Sequence, residues 1–187
     1  MRTIRTFIAV KLDDDVRRAA VRMVEQIQQP DDGIKWVPTD NLHLTLKFLG
    51  DVDNTEIHRV CQVLRGVCEQ YESFGLHFKG AGGFPELSRA KVLYAGIDDA
   101  SGALTEIVSQ LEDDYAELGF KREVRDYVPH LTLGRCARKP NQQLIEKFSE
   151  YSETDFGRMT VSSFCVFASF LDKSGPTYQV MDTVELD

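Results

Sequence analysis

The sequence predicts an α+β fold in which two mostly antiparallel β-sheets face each other across a central cleft, with helices on their outer sides. Three observations lead there. Amphipathic helical stripes and short β-like runs are mixed without regular strand-helix-strand alternation, because several strands follow one another directly, and this disfavours a doubly wound parallel sheet. The 187 residues are 42% apolar and 28% charged, with 11 Phe and 6 Tyr, enough to bury a sizeable core in one folding unit spanning 1–187. Finally, His43-Leu44-Thr45-Leu46 recurs letter for letter as His130-Leu131-Thr132-Leu133. With 4 His in the chain, chance recurrence is on the order of two per thousand sequences of this composition, so the repeat marks two related halves joined by a pseudo-two-fold relation.

The elements follow in order. Residues 5–10 are rich in β-formers, and Asp13-Asp14-Asp15 then complements a helix dipole. Val16, Ala20, Met23 or Val24, and Ile27 share one stripe of that helix, which Pro30 and Gly33 stop. Residues 36–37 and 43–49 read as strands. A second helix begins near Asn54 and turns Ile57, Val60 or Cys61, Leu64, Val67 and Tyr71 inward. Strands follow at 74–78 and 91–96, with Gly80-Ala81-Gly82-Gly83 as a turn or bulge between them. That glycine run lacks the Gly-Lys-Ser/Thr of a phosphate loop and opens no helix. A third helix from Ser101 carries Leu104, Val108, Leu111, Tyr115 and Leu118 and ends at Gly119, and a shorter one after Pro140 carries Leu144, Ile145 and Phe148. Between these two, residues 130–133 form a strand. Residues 161–170 and 178–186 close the chain as a hairpin through Asp172-Lys173-Ser174-Gly175-Pro176.

Charge and cysteine usage narrow the function. With 22 Lys plus Arg against 30 Asp plus Glu the net charge is −8, unsuited to a sequence-blind grip on long nucleic acid or an anionic membrane. A local pocket of Arg5, Lys47 and Arg135, with Arg89 or Lys91, leaves room for an end-recognised anion such as an RNA terminus or a nucleotide. No apolar run approaches the ~20 residues of a membrane span, and residues 1–10 hold no signal core, so a cytoplasmic monomer without membrane or protein partner is expected. Cys61, Cys68, Cys136 and Cys165 form no Cys-x-x-Cys pair and are expected as reduced thiols, with Cys61 and Cys68 packing on one helical face.

The duplicated tetrapeptide carries the chemistry. Side chains alternate along a strand, so His43 and Thr45 share one face while Leu44 and Leu46 anchor the other, and the second copy repeats this. Two imidazoles facing one cleft suit in-line displacement at phosphorus: one takes a proton from the nucleophile and the other gives a proton to the departing oxygen. The two threonines can donate hydrogen bonds to the non-bridging oxygens, and neither metal nor cofactor is required. A zinc site at His43 and His130 is the competing reading, but no third ligand recurs beside either motif. Strict alternation places Lys47 with His43, Phe48 with the leucines, and Arg135 away from the cleft unless Gly134 permits a bend. Phe7, with Phe48 and Tyr127 as weaker candidates, offers a ring for stacking a terminal base. His58 lies off its helix's apolar stripe, and His77 is read as structural.

At these residues the chain resembles the two-histidine (2H) phosphoesterase superfamily, defined by paired His-x-Thr-x motifs, and looks most like the bacterial RNA 2′,3′-cyclic phosphodiesterases, also called 2′-5′ RNA ligases. The resemblance extends to Arg5-x-Phe7-x-Ala9, Lys47-Phe48-Leu49-Gly50, Gly83-Phe84-Pro85, Val92-Leu93-Tyr94-x-Gly96, Pro129 and Arg135, covering about residues 5–135. It implies His43 as proton donor to the 3′ oxygen and His130 as proton acceptor from water. Thr45, Thr132 and Arg135 become phosphate ligands, and the product a 2′-phosphate. A 5′-hydroxyl in place of water gives a 2′-5′ linkage by the same two transfers. The alternative is a catalytically silent nucleotide-binding module of the same fold.

Overall fold

The computed structural model describes residues 2–173 and 175–187. Among the described residues nine strands and four α-helices follow in the order β1 (Thr3–Lys11), α1 (Asp14–Ile27), β2 (Ile34–Trp36), β3 (His43–Asp53), α2 (Ile57–Cys68), β4 (Phe74–Phe84), β5 (Val92–Asp98), α3 (Ala103–Glu117), β6 (His130–Cys136), α4 (Gln142–Ser149), β7 (Asp155–Val161), β8 (Ser163–Asp172) and β9 (Gly175–Glu185). The expected α+β architecture is present. One sheet has the order β3-β1-β8-β9 and the other β2-β6-β5-β4-β7, and every pairing in both is antiparallel. Apart from β2, the orders superimpose as β3 on β6, β1 on β5, β8 on β4 and β9 on β7, the pseudo-symmetry that the repeated tetrapeptide announces.

The helices cross between halves. Although α1 follows β1 of the first sheet, it packs against β7 of the second, while α3 follows β5 of the second sheet and packs against β3 of the first. With α2 on β8 and β9, and α4 on β4, each sheet is backed by two helices. Stripe residues Val16, Ala20, Met23 and Ile27 of α1, and Leu104, Val108, Leu111 and Tyr115 of α3, are all buried, as the helical periodicity requires. They join Leu44, Leu46, Leu131 and Leu133 in one continuous apolar core. No helix of the described residues is long and apolar enough to cross a membrane.

Two departures from the sequence expectation have local causes. The glycine run does not separate two strands but lies inside β4, which bulges between Phe78 and Ala81 where Gly80 adopts φ +75°. Strand β7 is a separate element whose apolar rhythm of Phe156, Met159 and Val161 is broken at Gly157. The closing hairpin is as expected, although Ser174 of its turn, like Met1, lies outside the described residues.

Candidate active site

Each motif strand carries a β-bulge at the same place. In β3, Ala9 of β1 pairs with Thr45 and Ile8 with Lys47, leaving Leu46 as the extra residue. In β6, Tyr94 of β5 pairs with Thr132 and Leu93 with Gly134, leaving Leu133 extra. An inserted residue reverses the facing of everything after it. Lys47 and Gly134 therefore turn into the protein, whereas Phe48 and Arg135 share the cleft face with the histidines and threonines. Gly134 is required there, since a Cβ would come within 2.8 Å of the Ile34 side chain and 3.0 Å of the Trp36 ring.

This one feature corrects several expectations. Lys47 does not reach the cleft. It is 4% exposed, with Nζ donating to Glu112 Oε2 at 2.6 Å and to the Lys121 carbonyl at 3.2 Å. Removing one member of so buried a pair strands the other charge, a loss of ~3–5 kcal/mol. Phe48, expected among the leucines, is 58% exposed and lies with its ring 5.5 Å from that of Phe7. Phe7 itself is 1% exposed and cannot offer a free face to a base. It is stacked on Phe167 at 5.1 Å and serves as the floor beneath Phe48, His43 and Tyr178. Tyr127 is packed against the core and donates its hydroxyl to the Thr45 carbonyl at 3.0 Å, so its role is a bridge between the motifs and not a stacking platform. Of the other cations considered for a basic pocket, Arg89 is paired with Glu86.

The histidines are held alike. His43 Nδ1 lies 2.6 Å from the Asn41 carbonyl and His130 Nδ1 2.7 Å from the Val128 carbonyl. A carbonyl only accepts, so each Nδ1 donates, and each Nε2 is left to exchange a proton with a ligand. Asn41 is itself tied to the β8–β9 hairpin, its Nδ2 donating to the Pro176 carbonyl at 2.7 Å. Each imidazole also meets aromatic neighbours. Around His43 stand Phe7 at 4.9 Å and Tyr178 edge-on at 5.2 Å, and around His130 stand Phe84 at 5.0 Å and Tyr94 at 5.9 Å. Gly82 leaves the space that the Tyr94 phenol occupies.

Electrostatics link the two sheets. Burial pushes the His43 imidazole below its ordinary value, the Asn41 bond opposes this, and the Arg135 charge from the other sheet lowers it further. Burial raises the Tyr178 phenol, while Arg135 and Arg5 pull it back, so both guanidiniums act on this end of the cleft. Strand β3, carrying His43 and Thr45, thus lies beside β6, carrying His130 and Thr132, and Arg135 of β6 acts on His43 and Tyr178 of the other sheet. Sequence reading did not find Tyr178, which only the β8–β9 hairpin brings to His43, or Asn41, whose carbonyl reaches the imidazole two residues on through the short turn at Thr39–Asn41. Among the described residues no three His, Cys, Asp or Glu side chains converge as a metal site. His58 is exposed, and His77 Nε2 lies 3.0 Å from Asp155 Oδ1, away from the cleft on the β4–β7 edge.

Known proteins resemble this chain over nearly its whole length. The chain is 34% identical to an RNA 2′,3′-cyclic phosphodiesterase of Methanothermobacter thermautotrophicus over 98% of its length and 99% of the relative's. It is 32% identical to one of Archaeoglobus fulgidus over 97% of its length and 100% of the relative's. Among solved structures, TT0787 of Thermus thermophilus superimposes with a TM-score of 0.83 at 26% identity, covering 98% of each chain. E. coli LigT complexed with 3′-AMP shares the fold at a TM-score of 0.78 and 21% identity, also covering 98% of each chain. Similarity therefore extends well past the residues that carried it in the sequence. The family model of the 2′-5′ RNA ligase superfamily matches residues 13–169, both motifs included, and the chain belongs to that superfamily.

Proposed function

We propose that this chain is an RNA 2′,3′-cyclic phosphodiesterase that opens cyclic phosphate ends of RNA or nucleotides to 2′-phosphates, acting as a cytoplasmic monomer without metal or cofactor. The observation that carries this reading is the pair of identically held imidazoles, one per sheet, each with Nδ1 fixed on a carbonyl. The shared activity of the full-length relatives supports it.

In the proposed reaction His130 Nε2 takes a proton from water as the water oxygen attacks phosphorus. The bond from phosphorus to the 3′ oxygen breaks, and His43 Nε2 gives its proton to that oxygen, leaving a 3′-hydroxyl and a 2′-phosphate. Thr45, Thr132 and Arg135 donate to the non-bridging oxygens, where charge accumulates. A 5′-hydroxyl in place of water forms a 2′-5′ linkage with the same proton balance. The low His43 basicity in the free protein favours release of its proton, and an incoming anionic phosphate promotes its protonation beforehand.

Incubation with a 2′,3′-cyclic nucleotide in EDTA tests the proposal. Turnover to the 2′-phosphate is expected. Binding without turnover would leave a nucleotide-binding module, and turnover only after added divalent metal would remove the metal-independent mechanism.

Phe48 is the base platform in this reading, being exposed and backed by the buried Phe7 ring. Stacking contributes ~1–3 kcal/mol per base, so Phe48→Ala is expected to raise KM for a cyclic mononucleotide about 5- to 150-fold with kcat changing less. Steady-state kinetics decide this, and an unchanged KM would move the base elsewhere.

A further inference from the structure

We infer that Lys47, Glu112 and Tyr127 are positioning residues: together they clamp the strand carrying His43 and Thr45 to the segment leading into His130, and so set the separation across which the two imidazoles act. The inference rests on the acid-base reading of those histidines. Strand β3 lies at the edge of its sheet, so its outer side has no neighbouring strand in that sheet to fix it. Three contacts reach it from the segment that follows α3 and from α3 itself. Tyr127 Oη donates to the Thr45 carbonyl at 3.0 Å, Lys47 Nζ donates to the Lys121 carbonyl at 3.2 Å, and Lys47 Nζ meets Glu112 Oε2 at 2.6 Å. The same Glu112 oxygen accepts from the Glu123 amide at 3.0 Å, so a single carboxylate joins helix α3, the Lys47 ammonium and that segment.

The bulge gives these contacts their connection to chemistry. The residue that turns Phe48 outward also turns Lys47 inward, and without it Lys47 would share the cleft face with Thr45. Lys47 and Tyr127 thus hold both ends of the bulged stretch, one through a side chain and the other through the motif threonine's own carbonyl. Proton transfer to and from a phosphate requires each Nε2 within hydrogen-bond reach, so loosening this stretch should affect turnover more than ground-state binding.

Two variants test the clamp while sparing the fold. Tyr127→Phe removes only the hydroxyl, and Lys47→Met combined with Glu112→Gln neutralises the ion pair without leaving a lone charge. Both are expected to lower kcat at least tenfold with KM within about twofold. The deciding readout is the His43 imidazole titration followed by NMR, which does not depend on turnover. The charged and titratable groups facing His43 are Arg135 of β6, from across the cleft, and Tyr178 of β9, from its own sheet, with Phe7 and Phe167 as apolar neighbours. Opening the gap weakens both burial and the Arg135 field, so His43 should titrate upward toward the ordinary value in both folded variants. A folded variant whose His43 titrates as in the wild type overturns the clamp whatever its kcat. A wild type that turns over no cyclic phosphate would refute the proposed activity instead, and the titration would still judge the clamp.

Discussion

Replacing either His43 or His130 by alanine is expected to remove a factor of roughly 10²–10⁴ from kcat, the usual worth of one positioned proton transfer. The two histidines occupy matching frames, each fixed through Nδ1 to the carbonyl two residues upstream. Neither belongs to the apolar core, so the loss should come from chemistry and leave the fold intact. Nucleophile activation and leaving-group protonation are parts of one displacement, so the double variant should cost far less than the product of the single losses. Steady-state kinetics on a 2′,3′-cyclic nucleotide, with circular dichroism to confirm folding, provide the check. Full activity in His130→Ala would end the paired acid-base mechanism.

The motif strands were legible because period-two alternation assigns His43, Thr45, His130 and Thr132 to one face without reference to any partner strand. Their continuations were not. A bulge depends on which cross-strand residues pair, and nothing in Leu46 or Leu133 distinguishes an extra residue from an ordinary inward leucine. A signal was nevertheless present. Unbroken alternation would bury Arg135, and an unpaired guanidinium in a core is prohibitive. The second copy thus calls for a reversal of facing before Arg135. Transferring that reversal through the repeat would have sent Phe48 out and Lys47 in.

Other parts of the fold were unreadable for a different reason. Amphipathic stripes on α1 and α3 give their inward faces but not the sheet they cover, and both helices pack across to the other half. Tyr178 reaches His43 only because β9 curls with β8 over the aromatic floor of Phe7 and Phe167. Local pattern contains neither fact.

Arg135→Met should have two effects that together identify the role of His43. Losing a charge-assisted hydrogen bond to the phosphate costs ~1.5–3 kcal/mol, so kcat/KM should fall about 10- to 150-fold. Independently, the variant removes a positive charge that disfavours the His43 imidazolium, so the His43 pKa must rise. If His43 donates the proton, its charged form is the active one, and activity is lost as pH rises through its pKa. The alkaline limb of the kcat/KM profile should then move upward in Arg135→Met while the acid limb stays in place. Were His43 the base, its neutral form would be active and the acid limb would move upward instead. A shifted acid limb would therefore exchange the roles assigned to His43 and His130, and a profile with neither limb moved would remove Arg135 from the cleft's electrostatics. Burial, the larger cause of the low His43 value, is unchanged by the substitution, so the shift should be partial and His43 should still titrate below an ordinary imidazole.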